Sequence, residues 1–389
     1  MYGINKWRRD FFIEVLWLFL GIKGRINFMQ LARYGSYSEQ RYRQQFEKPF
    51  DFLQFNKSLV TESGSGTFAI GFDPSYISKS GKHTHGLGYF WSGCASKALW
   101  GLEIGGIAAI DLGLKTAFLL EAVQTPNKNE LDTKCTQMEW YANLLVQRRD
   151  ALLEISPYLV VDAYFSKRGF VDTLTQATFH VISRLRDDAD LKYIKPQIKT
   201  GKRGRPKKYG EKVDPQKPDM TYFEKVIKPD GSHLYCANVH SKALKRNIKL
   251  VIEQNMNNKN EPKQKLYFST DMAMDGVTIM QYYRNRFQME FLYRDGKQHT
   301  GLEDCQARDE NKLAFQFNMA LTAINVAKVE HWLSQPQKER GAFSMANVKT
   351  MHHNALLLNR FFDVFAIKPN SIKNTQRIKE LIDFGKIAA

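Results

Sequence analysis

Residues Gln281 to Lys297 read QYYRNRFQMEFLYRDGK, and the spacing within this stretch carries most of what the chain discloses. Tyr283, Arg286, Glu290 and Lys297 fall at offsets of 0, 3, 7 and 14. On an α-helix, at ~100° per residue, those offsets lie within an arc of roughly 60°. One face would then carry an aromatic hydroxyl, a guanidinium, a carboxylate and an ammonium over about 21 Å of axis. Such a stripe can follow a phosphate backbone while keeping one carboxylate for a metal ion, which is the chemistry of a nuclease. The plainer reading is a solvated polar face, the usual meaning of charges at helical spacing.

The pattern Tyr, two residues, Arg, three residues, Glu, six residues, Lys resembles the signature of DDE transposases of bacterial insertion sequences. More narrowly, it resembles the family conventionally numbered four. The resemblance implies that Glu290 is the third acidic residue of a catalytic triad. It also implies that Tyr283, Arg286 and Lys297 contact transposon-end DNA near the cleaved phosphate, with Arg284 and Arg294 as further phosphate contacts.

Composition agrees with a nucleic-acid partner. The chain has 389 residues, enough for a large core and two or three domains, and its 43% hydrophobic and 13% aromatic content fits a folded protein. The formal net charge of +17 suits a polyanion. Cys94, Cys135, Cys236 and Cys305 are far apart and form no CxxC pair. A structural zinc site or disulfide framework is not expected, and a reducing cytoplasm is the natural setting. Lys6, Arg8 and Arg9 precede the apolar run Phe11 to Leu20, as in a signal peptide. Glu14 interrupts that run, which is too short to span a bilayer, so a buried helix is expected and no membrane partner.

The pattern along the chain gives an α/β fold. Residues 1–62 read as a helical DNA-binding region. Ile26–Arg33 and Ser38–Phe46, joined by a turn with Gly35, suggest a helix-turn-helix in which Arg41 and Arg43 meet phosphates; a plain helical hairpin fits equally. From Thr67 strands begin: Phe68, Ile70 and Phe72 alternate and end at Asp73, then Ile104–Leu112 and Ala117–Val123 follow. A helix over Gln137–Ile155, a strand over Tyr158–Val161, a helix over Arg168–Ala177 and a strand over Phe179–Leu185 complete the order of an RNase H-like catalytic core. The first part of that core spans 63–190.

Residues 191–270 differ in composition. They hold 19 Lys and Arg against 7 Asp and Glu, or +12 of the total +17. Met220–Ile227 and His233–His240, separated by Lys228-Pro-Asp-Gly231, form a hairpin signal. This is a basic β-rich insertion, and the transposases that the chain resembles carry one at the same point. The helical second part of the core covers 271–335, with an amphipathic helix marked by Leu313, Phe317, Ala320, Leu321 and Ile324. A C-terminal helical region covers 336–389.

Three carboxylates converging on two divalent cations about 3.5–4 Å apart are the minimum for a DDE reaction. Asp73, Asp162 and Glu290 are the candidates, both as catalytic residues and as metal ligands. Magnesium, with manganese as substitute, suits hard oxygen donors. Asp73 follows an apolar strand and precedes Lys79-Ser-Gly-Lys82, which resembles the family's first-aspartate block and implies phosphate contacts from Lys79 and Lys82. Asp111 competes, because Gly106-Ile-Ala-Ala-Ile-Asp111 also ends a strand. Asp162, closing Leu159-Val-Val-Asp162, resembles the second-aspartate block; a helix N-cap is its plainer reading.

Arg203-Gly-Arg-Pro-Lys-Lys208 looks like an AT-hook core for the minor groove, but a flexible basic loop contacting phosphates is the preferred reading. Arg203, Arg205, Lys207 and Lys208 are DNA-binding candidates in either case. His83-x-His85 and His352-His353 lack the remaining ligands of a zinc site. The family's hairpin chemistry uses an aromatic platform for a flipped base, often a tryptophan of the insertion. No tryptophan lies within 191–270, which leaves Tyr222, Phe223, Tyr235 or Phe268.

The sequence therefore reads as a bacterial, nucleoid-associated DNA transposase. Its expected partners are double-stranded transposon ends and target DNA, bound by a homodimer. The rival readings are a nuclease without transposition and a non-catalytic DNA-binding protein.

Overall fold

The computed structural model describes residues 4–133, 135–195, 208–228, 233–256, 262–367 and 372–387. Four helices come first: α1 (Lys6–Gly21), α2 (Phe28–Tyr34), α3 (Glu39–Phe46) and α4 (Phe52–Ser63). Each starts at a short polar residue, Asn5, Asn27, Ser38 or Asp51. In every case its side chain accepts from the backbone N–H three residues on, satisfying a donor the helix cannot. The apolar run in α1 is a helix buried along one side, with Phe12, Val15 and Phe19 fully enclosed and Ile13 and Trp17 exposed. Among the described residues no helix is long and apolar enough to cross a membrane.

The sheet begins with β1 (Phe68–Ser78), β2 (Gly88–Ser92), β3 (Lys97–Asp111) and β4 (Thr116–Gln124). Then come α5 (Gln137–Gln147), α6 (Arg149–Leu153), β5 (Tyr158–Val160), α7 (Arg168–Gln176) and β6 (His180–Leu185). β1 pairs antiparallel with β3 along its length, from Phe68 opposite Asp111 to Ser78 opposite Gly101. β4 lies antiparallel on the far side of β3, while β5 is parallel to β1 and β6 parallel to β5. The spatial order is β4-β3-β1-β5-β6. Two sequence expectations are corrected here. β1 does not end at Asp73 but runs five residues further, and the helix expected over 137–155 breaks at Arg148.

The basic stretch supplies β7 (Leu191–Ile194), β8 (Tyr209–Lys212), β9 (Glu224–Ile227), β10 (His233–Ser241), β11 (Arg246–Met256) and β12 (Pro262–Ser269). The hairpin of β9 and β10 forms as the sequence suggests. β12 pairs antiparallel with β6, so these strands extend the same sheet in the order β6-β12-β11-β10-β7-β8. The core and the basic strands share one hydrogen-bonded surface.

Helices α8 (Gly276–Asn285), α9 (Gln288–His299), α10 (Glu310–Lys328), α11 (Met345–Val364) and α12 (Ile372–Asp383) follow, with a π-helical turn at Val329–Leu333. α9 lies close on β1 and β3 because glycine leaves room. A Cβ at Gly71 would stand 2.6 Å from Met289 Sδ, and one at Gly106 would stand 2.1 Å from Tyr293 Oη. α10 is not amphipathic as its spacing suggests: residues 315 to 325 are buried in unbroken succession. Its polar side chains instead close the free edge of β4. Asn318 bonds both backbone groups of Ala122, Asn325 bonds both of Leu119, and Lys328 donates to Ala117 O. An unpaired strand edge is thereby satisfied inside the core.

Candidate active site

β1 and β5 bring two aspartates together by register. Gly71 is the partner of Val160 in the parallel ladder, and Asp73 and Asp162 each lie two residues beyond that couple. Asp162 precedes a one-turn 3-10 segment, Ala163–Phe165, but its side chain makes no capping bond, so the N-cap reading does not hold. The carboxylate is instead the acceptor for Tyr283 Oη, at 3.4 Å.

The helix expected to carry the whole signature is interrupted. α8 ends at Asn285 and α9 starts at Gln288, with Arg286 and Phe287 in a tight turn. There the bonds shorten to three residues, from Arg286 N to Tyr283 O and from Glu290 N to Phe287 O. This bend turns Arg286 inward. Its Nη2 lies 3.0 Å from Glu290 Oε1 and its Nη1 lies 3.9 Å from Asp73 Oδ2. Asp73, Asp162, Glu290, Tyr283 and Arg286 are thus one linked group.

The electrostatics are those of crowded acids. Burial pushes the Asp73 carboxyl up to about 7; Arg286 opposes that, while Asp162, Glu290 and Glu103 add to it. Burial would lower the Arg286 guanidinium, but Asp73, Tyr283, Asp162 and Glu290 outweigh it and hold the group above its usual range. One guanidinium faces three carboxylates, so the group is short of positive charge. Burying such charges without compensation is costly. Carboxylate oxygens are the donors that magnesium or manganese prefers. In this structure, though, the three acids are joined through Arg286 and Tyr283, and their own ligand atoms do not form a converged group. Arg286 Nε is buried with no acceptor, an unspent donor beside the carboxylates.

Lys297 donates to Tyr76 O at 2.6 Å and pairs with Glu303 at 3.2 Å, further along β1. Arg284 pairs with buried Glu253 of β11 at 2.5 Å, tying α8 to the basic strands. Arg294 is exposed, 4.6 Å over the Phe291 ring and 3.0 Å from Asp295. Lys79 is spent on the carbonyls of Cys305 and Ala307, whereas Lys82 is exposed at a cavity of about 600 Å³ that also holds Arg25, His83 and Arg308. Arg43 pairs with Glu39 and covers the Phe28 ring, while Arg41 is exposed. Arg203, Arg205 and Lys207 lie outside the described residues, and Lys208 is exposed. Of the insertion's aromatic candidates, Phe223 and Phe268 are buried and present no ring to a base; Tyr222 stacks on Tyr193 at 4.5 Å. Tyr235 is partly exposed.

Asp111 has a different task. Its fully buried carboxylate accepts from Ser65 N, Ser65 Oγ and Leu114 N, closing the β3–β4 turn against the end of α4. Three residues near the site escaped the sequence reading. Tyr293 donates to Asp73 O at 2.5 Å, Glu103 is a buried carboxylate bonded to Tyr141, and Arg184 of β6 is close enough to act on Tyr283. Only Tyr293 carried a signal, three residues after Glu290 in the opening stretch.

A family model described as Transposase DDE domain matches residues 113–326, more than half of the chain. The matched segment contains Asp162 and Glu290 and begins after Asp73 and Asp111. No curated protein matches the chain.

Proposed function

The chain belongs to the transposases with a DDE domain, and from that premise we propose that Asp73, Asp162 and Glu290 are its catalytic triad. The observation that carries this is the linkage of the three carboxylates through Arg286 and Tyr283. The order β4-β3-β1-β5-β6, with three antiparallel strands followed by two parallel ones, supports an RNase H-like core. The signature spacing supports the family conventionally numbered four.

The reaction we infer is phosphoryl transfer in two steps. Water oxygen bonds to phosphorus at the transposon end and the P–O3′ bond breaks, leaving a 3′-hydroxyl and a 5′-phosphate. That 3′-oxygen then bonds to a target phosphorus and displaces a target 3′-oxygen. Two magnesium ions held by the triad would supply activation of the attacking oxygen and stabilisation of the leaving one. Tyr283 orients Asp162, and Arg286 holds Asp73 and Glu290 beside it. Exposed Lys82 and Arg294 and the basic strands along the same sheet would track the duplex backbone. Lys297 and Arg284 would reach it only by giving up their bonds to Tyr76 and Glu303 and to Glu253. Two ends held together call for a homodimer on DNA.

Incubating the protein with a labelled end duplex and a target plasmid in magnesium tests the proposal. Joined product is the expected result. Cleaved ends that never join would reduce the protein to a nuclease, and bound but uncut ends would remove the chemistry.

A further inference from the structure

Among the described residues, one place brings three metal-ligating side chains together, and it lies apart from Asp73, Asp162 and Glu290. Glu330, His331 and His352 present ligand atoms that all lie within 4.8 Å of one another. Glu330 and His331 stand on consecutive positions of the π-helical turn that ends α10, and His352 comes from the middle of α11. A π turn widens the helix by one residue per bond, here from Ser334 N to Val329 O. It presents two adjacent side chains towards the same neighbour.

The histidines meet head-on. His331 Nε2 lies 2.7 Å from His352 Nε2. Two imidazoles in that contact are satisfied only if one holds its proton on Nε2 and the other does not. His352 is 4% exposed, its ring stands 4.6 Å from that of Trp17, and its Nδ1 is buried with no partner.

We propose that Glu330, His331 and His352 form a binding site for a first-row transition ion of the zinc class, separate from the carboxylate site. Two imidazole nitrogens and a carboxylate oxygen are a zinc donor set, whereas magnesium prefers oxygen alone. With Zn–N bonds of about 2.0–2.1 Å, a tetrahedral ion needs the two nitrogens roughly 3.3 Å apart. A small rotation of half-buried His331 provides that, and water fills the fourth position. The ion would clip α11, and with it the C-terminal helices, to the end of α10. The basic residues nearest the site, Lys349 and Lys386, oppose a cation; the Glu330 carboxylate offsets part of their charge.

Calorimetric titration of the full-length protein, without a histidine tag, with zinc chloride provides the test, alongside the absorption spectrum of the cobalt-loaded form. The wild type and Glu290→Gln should bind one tight zinc ion and give the same cobalt spectrum. His331→Gln, at a half-exposed position that tolerates the change, should lose more than about tenfold in affinity, the low end of what disturbing a zinc site costs. His352→Gln should lose at least as much, with circular dichroism checking its fold. Zinc should raise the Tm of the wild type and not that of His331→Gln. An unchanged affinity and cobalt spectrum in His331→Gln would overturn the site, as would zinc binding that disappears in Glu290→Gln. DNA cleavage by His331→Gln in magnesium should persist, so the outcome is independent of the proposed triad.

Discussion

Tyr283 Oη lies 3.4 Å from Asp162 Oδ1, across a separation of 121 residues. The first residue of the signature and the acid at the end of β5 therefore meet through one long hydrogen bond. Tyr283→Phe removes it while keeping the ring. A hydrogen bond of net worth about 1 kcal/mol corresponds to roughly a fivefold loss of rate. Single-turnover cleavage of an end duplex should slow by about that factor with little change in binding affinity. An unchanged rate would show that Tyr283 does not orient Asp162 during the reaction.

Asp73 gives stability a pH dependence of unusual sign. Its pKa of about 7 in the fold exceeds the ~3.9 of an unfolded aspartate. Between those values the folded chain keeps a proton that the unfolded chain has released. Its contribution to stability is therefore full below about pH 4, declines as pH rises to about 7, and is then constant. Metal-free protein should lose Tm over that window. Asp73→Asn should flatten the slope and melt higher than wild type at pH 8, where magnesium should stabilise only the wild type. Parallel slopes for the two proteins would refute the assignment.

Substitution of Asp111 distinguishes the structural role its contacts give it from the catalytic role proposed for Asp73. Asp111→Ala leaves Ser65 N and Leu114 N without their acceptor, a loss of roughly 1–3 kcal/mol for unsatisfied buried donors. Denaturant unfolding should register that loss, while the protein that remains folded should still cleave DNA. Inactive but fully stable Asp111→Ala would reverse the roles of Asp73 and Asp111.

Glu253 couples the basic strands to the signature segment. It is buried and pairs with Arg284 at 2.5 Å and with Lys228 at 3.0 Å. Glu253→Ala leaves two cations beside an apolar gap. Because Arg284 is more than half exposed, water softens the cost to roughly 1–3 kcal/mol. Hydrogen exchange should accelerate first in β11 and α8. Protection unchanged in both elements would mean the pair contributes nothing to their docking.

Much of this was legible in the sequence because it depends on period and punctuation. The alternation of Phe68, Ile70 and Phe72 marked β1, and Leu159-Val-Val-Asp162 marked a short buried strand. The β9–β10 hairpin announced itself through Lys228-Pro-Asp-Gly231. Other features depend on distant partners. β1 continues past Asp73 because β3 supplies a partner as far as Gly101, which no local pattern encodes. The bend at Arg286 is equally hidden, since helical offsets look the same through a three-residue bond. Asp73 and Asp111 are ranked in the sequence by resemblance alone, because the contact of Asp111 with Ser65 spans 46 residues and leaves no local pattern. His352 looked bereft of fellow ligands because Glu330 and His331 lie a helix away.

The most direct test compares wild type with Asp73→Asn, Asp162→Asn and Glu290→Gln, each carrying one amide in place of a carboxylate. Cleavage of a labelled end duplex is followed in magnesium, with binding to the same duplex measured in calcium. Each variant should cleave slower by roughly a thousandfold or more, about 4 kcal/mol of transition-state stabilisation, and still bind the end. Near wild-type cleavage by any one of the three would contradict a shared metal site built from these acids.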